Sequence, residues 1–122
     1  MRKLVLALLI ALSAGLASGR AEAHAQLRAS DPPVGGAVGV SPRQIRLSFS
    51  EGIEPAFSGV AVTDAAGKPV STAPLALDPA DHKQVIIVLP AALAPGSYKV
   101  AWHVVSVDTH KTQGDFGFTV KP

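Results

Sequence analysis

The chain has 122 residues with 11 basic and 9 acidic side chains, no cysteine, a single methionine and only 5% aromatic residues. That length suits one domain with one core, and the lack of cysteine excludes both a disulfide-stapled scaffold and a lipid-anchoring cysteine. Arg2, Lys3, Arg20 and Glu22 all fall within the first 23 residues, so residues 24–122 carry eight basic and eight acidic side chains, a formal net charge of 0, and no basic stripe for nucleic acid.

In chain order, the first element is a secretory signal over residues 1–23. Arg2 and Lys3 precede the apolar run Leu4 to Leu12, and Ala21-Glu22-Ala23 forms a small-residue cleavage site. The run is far short of the roughly 20 residues that span a bilayer. Cleavage would leave a 99-residue domain, 24–122, that begins with His24. Its expected location is the periplasm, in soluble form, because Pro90 and Pro95 interrupt the most apolar later stretch.

The remainder reads as short strands between Pro, Gly, Asp and Ser. AQLRA is a weak strand, and DPPVGGAVGVSP is a surface loop leading to the next. In QIRLSF, Ile45, Leu47 and Phe49 share one face, while Gln44, Arg46 and Ser48 share the other. GVAVTD repeats the alternation with Val60 and Val62, and Gly67 supplies the turn after it. A weak strand follows around Pro69 to Leu77, and KQVIIVL, apolar on both faces, suits a central position. SYKVAWHVVSVD places Tyr98, Val100, Trp102 and Val104 inward, and GDFGFTV closes the chain with Phe116, Phe118 and Val120 inward. The fold class is therefore all-β, an immunoglobulin-like Greek-key sandwich or barrel of about seven strands. Tyr98, just after a Pro-Gly turn, is expected to pin a corner through its hydroxyl, and Trp102 to pack in the core.

The candidate chemistry lies in the histidines. Once exposed by cleavage, His24 offers an imidazole and an α-amine that can chelate one metal ion, and the amine, with a reference pKa of about 7.7 to 8.0, loses its proton at little cost. In SVDTHKTQG, an extended backbone would project Asp108 and His110 to the same side. Two imidazoles, an amine and a carboxylate form a nitrogen-rich N/O set that suits Cu(II). His82 and His103 lack such partners and are read as ordinary polar positions. Ser106, Asp108 and His110 resemble a hydrolytic triad on paper, but alternate residues of one strand cannot wrap a common substrate, and no G-x-S-x-G turn exists.

HAQL, SDPPVGG, IRLSFSEGIEP, VTDAAGKPV, LAPGSYKVAWHVVSVDTHKTQG and FGFTV together resemble the CopC-type periplasmic copper-binding proteins over nearly all of residues 24–122. The resemblance implies a non-catalytic copper carrier or buffer, with one Cu(II) per mature chain held by His24, Asp108 and His110. Glu51, in FSEG, matches an acidic position near the metal in that family and would orient a ligand or the amine by hydrogen bonding. An inner-membrane CopD-type copper transporter is the implied partner, and the mature chain is expected to be monomeric. The methionine-rich Cu(I) site of some members has no counterpart, because Met1 is the only methionine and leaves with the signal. Two alternatives come from other classes. One is an oxidative copper enzyme resembling polysaccharide monooxygenases, which also use an N-terminal histidine on a β-sandwich. The other is a metal-free immunoglobulin-like interaction module.

Overall fold

The computed structural model describes residues 24–122, so the expected signal peptide at residues 1–23 lies outside the described residues. Eight strands follow in order: β1 Leu27–Asp31, β2 Ala37–Val38, β3 Gln44–Phe49, β4 Gly59–Asp64, β5 Ala76–Asp78, β6 Asp81–Val88, β7 Gly96–Val105 and β8 Lys111–Val120. One sheet has the order β1-β3-β6-β5 and the other β2-β8-β7-β4. The chain changes sheets after β1, β2, β3, β4 and β6, while β5–β6 and β7–β8 pair antiparallel with their neighbours in sequence. This is the expected all-β sandwich. Among the described residues the only helical element is a 3₁₀ turn at Pro55–Phe57.

Period-two alternation explains the core. Ile45, Leu47 and Phe49 of β3, Val85 and Ile87 of β6, Tyr98, Val100 and Val104 of β7, and Phe116, Phe118 and Val120 of β8 are all buried between the sheets. Burying such side chains stabilises the domain by about 1.5–3 kcal/mol each before chain entropy is counted. Trp102 is half-buried against the core and meets Phe49 edge to face, with ring centroids 5.2 Å apart. Gly114, opposite it in register, makes the space: a Cβ there would lie 2.6 Å from the Trp102 ring. The Tyr98 hydroxyl donates to the Ala94 carbonyl oxygen at 2.6 Å, forming the expected corner.

Three details differ from the sequence reading. The stretch read as a loop, DPPVGGAVGVSP, contributes β2, which pairs parallel with the end of β8. The reason is the free edge of β8: Gly117 O accepts from Gly35 N–H, and the Thr119 and Lys121 amides donate to the Gly36 and Val38 carbonyls. The first strand begins two residues later than AQLRA suggests, because residues 24–26 run past the end of β3 toward β8. In β6, Val85 and Ile87 are buried but Val88 is exposed, so this inner strand of an antiparallel sheet keeps one partly wet face.

Candidate metal centre

The site lies where three segments converge at one end of the sandwich: the residues before β1, the residues after β3, and the turn joining β7 to β8. The first is held by hydroxyls. Ser50 Oγ accepts from the Gln26 amide at 2.8 Å and donates to the His24 carbonyl at 3.3 Å. From the opposite sheet, Thr112 Oγ1 donates to the Ala25 carbonyl at 2.9 Å. Between these two anchors the Ala25 side chain is 1% exposed and belongs to the core. His24 is thus tethered by the residues that follow it, while its ring stays at the surface.

The β7–β8 connection is a tight turn. The Ser106 amide donates to His110 O at 3.0 Å, the Thr109 amide donates to Ser106 O at 2.8 Å, and Thr109 takes a φ of 71°. The extended backbone expected at 106–110 is therefore replaced by a reversal with one left-handed residue. Asp108 and His110 still meet: His110 Nδ1 lies 3.2 Å from Asp108 Oδ2. The other carboxylate oxygen, Oδ1, accepts a hydrogen bond from the buried Ser106 hydroxyl. That bond, more than the His110 contact, holds the Asp108 carboxyl below the usual carboxylate range, against the opposing effect of burial.

The imidazoles of His24 and His110 lie edge to face with ring centroids 4.7 Å apart. The structure thus brings together residues 86 positions apart in the chain, in the contact series His24–His110–Asp108–Ser106. His110 Nδ1 faces the carboxylate, so an ion taking both His110 and Asp108 as ligands would sit between them in place of this direct contact. Among the described residues, no group of three or more His, Asp or Glu side chains is already gathered around a common point.

The other residues singled out from sequence fall elsewhere. Glu51, half-buried just after Ser50, has no hydrogen bond or ion pair to His24, Asp108 or His110 among the described residues. His82 lies at the start of β6, and His103 lies on the outer face of β7, packed over Gly59. The triad-like spacing gives no nucleophile–base pair, because the Ser106 hydroxyl meets the carboxylate and not the imidazole. Sequence reasoning missed Ser50 and Thr112 as anchors. Single hydroxyls at strand ends carry no signal of a contact made across the two sheets.

Fold and site together define an immunoglobulin-like β-sandwich with an imidazole–carboxylate cluster at one end, assembled from its first residues and its last hairpin. A CopC domain model matches residues 27–121, and the chain belongs to the CopC family. The chain is 44% identical over 99 residues to Protein YobA of Escherichia coli K12, across 81% of this chain and 80% of that one. Among solved structures, CopC from Methylosinus trichosporium OB3b superposes with a TM-score of 0.76 at 33% identity, covering 81% of this chain and 95% of that one. PcoC from Escherichia coli, described as a methionine-rich copper resistance protein, superposes at 0.73 with 38% identity, covering 81% and 100%. The matched domain contains Asp108 and His110 and begins three residues after His24.

Proposed function

We propose that this chain is a copper-binding protein of copper resistance or homeostasis, exported to the periplasm, that carries or buffers one Cu(II) ion without catalysing a reaction. The ligands in this reading are the His24 amine and imidazole, released when residues 1–23 are removed, with Asp108 and His110. The supporting observation is the approach of the His24 and His110 rings to 4.7 Å, with Asp108 alongside. An N/O donor set of this kind favours Cu(II) over softer ions. Copper resistance proteins of the family supply the physiological context. The contrast with a methionine-rich relative supports Cu(II): Met1 is the sole methionine, so residues 24–122 offer no thioether for Cu(I). Reduction is therefore expected to release the ion. Delivery to a membrane copper transporter of the CopD type would use this release or ligand exchange, with a monomeric carrier.

Titration of Cu(II) into protein beginning at His24, followed by electron paramagnetic resonance, tests the reading. One tightly bound ion with a nitrogen-rich plane is expected, and an added residue before His24 should weaken binding sharply. Equal affinity with and without that extra residue would remove the amine from the site.

A further inference from the structure

We propose that Ser106 is a positioning residue for the copper site: its buried hydroxyl holds one oxygen of Asp108, so that the other is aimed at His110 before any metal arrives. This rests on the copper site proposed above. Ser106 is 0% exposed and is the one buried polar residue among the described residues. It continues the inward-facing series Tyr98, Val100, Trp102 and Val104, where an apolar side chain would normally sit. A hydroxyl at such a depth is unfavourable unless it is hydrogen-bonded.

The backbone of Ser106 is fixed on both sides. It bridges Ile53, donates to the His110 carbonyl and accepts from the Thr109 amide. With that backbone held, the hydroxyl has two acceptors within reach: Asp108 Oδ1, and the His110 carbonyl oxygen at 3.3 Å. The single hydroxyl proton is better placed on the carboxylate, because an ionised acceptor makes the stronger hydrogen bond. Asp108 is otherwise a partly exposed side chain on a surface turn, free to rotate. Engaging Oδ1 leaves Oδ2 facing His110 Nδ1 at 3.2 Å, which fixes both candidate ligands at once. The turn itself does not need the hydroxyl, because its own amide hydrogen bonds close it. The serine side chain is therefore assigned to the carboxylate and not to the turn.

The test uses protein beginning at His24, with Ser106→Ala, Asp108→Ala, His110→Ala and the Ser106→Ala/Asp108→Ala double variant. Cu(II) affinity is read by chelator competition, and the copper environment by electron paramagnetic resonance. Ser106→Ala is expected to lower affinity by about 10–100-fold, as losses of outer hydrogen-bond partners do, and to broaden the copper hyperfine lines. In the Asp108→Ala background it should have no further effect. A wild-type affinity and spectrum for Ser106→Ala, or an equal loss in the Asp108→Ala background, overturns the assignment.

Wild-type binding by both Asp108→Ala and His110→Ala would instead overturn the copper site, and the role of Ser106 with it. Nuclear magnetic resonance of the metal-free wild-type protein provides a readout independent of copper and of whether the variant folds. The Ser106 hydroxyl proton should exchange slowly and correlate with the Asp108 carboxylate. Rapid exchange of that proton overturns the assignment.

Discussion

His24 and His110 differ from the other two histidines by company and not by type. His103 packs its ring over Gly59 on an outer sheet face, whereas His110 touches both another imidazole and a carboxylate. On the proposed site, this difference predicts that His110→Ala weakens Cu(II) binding by more than about 100-fold, since losing a proposed ligand costs more than losing an outer hydrogen-bond partner. His82→Ala and His103→Ala should bind as the parent does. Isothermal titration of the three variants checks this, and equal losses across them would show that the histidines act by bulk affinity and not as a site. Asp-x-His spacing was legible in the sequence at this scale, and so was His24 behind a cleavage signal. The route by which Asp108 and His110 meet was not. Thr109 adopts φ 71°, a left-handed conformation uncommon for a β-branched residue, and residue identity alone does not announce it.

At the scale of elements, the start of the domain is placed by side chains from two different sheets. Ser50 follows β3 in one sheet and Thr112 belongs to β8 in the other, and together they hold the backbone of residues 24–26. Thr112→Val keeps the shape but removes the bond to the Ala25 carbonyl, a loss of about 1 kcal/mol. Cu(II) affinity should therefore fall roughly fivefold, with the fold retained, as judged by circular dichroism and chelator competition. An unchanged affinity would mean that residues 24–26 are positioned by Ser50 alone. The strands themselves were largely legible, because alternation in QIRLSF, GVAVTD and FGFTV is a local property of the pleat. The strand β2 was not, since two residues of Ala37–Val38 carry no period and pair only because β8 offers an open edge.

For the whole molecule, the sheet β1-β3-β6-β5 is tied across β6 by Arg46, whose Nη1 donates to Asp78 Oδ2 at 3.0 Å. The Ala80 amide, and after it the Arg46 guanidinium, hold the Asp78 carboxyl below its usual value. A carboxyl with a lowered folded-state pKa stabilises the fold above the unfolded value of about 3.9, and that contribution disappears as pH falls through the folded-state value. Asp78→Asn should accordingly lower the urea midpoint at pH 7, and the gap from the parent should close as the pH falls below about 4. A gap of the same size at pH 2.5 would show that the charge of Asp78 is irrelevant to stability.

Sequence by itself determined the all-β class, the inward residues of the main strands, the Tyr98 corner and the histidine–aspartate vocabulary of the site. Each follows from chemistry that repeats every two residues or lies within one short motif. Tertiary structure alone decided that residues 24 and 110 touch, that Ser106 faces a carboxylate from a buried position, and that Ser50 and Thr112 tether the first residues of the domain. Those contacts depend on how two sheets are stacked and on one left-handed turn, and neither leaves a period in the chain.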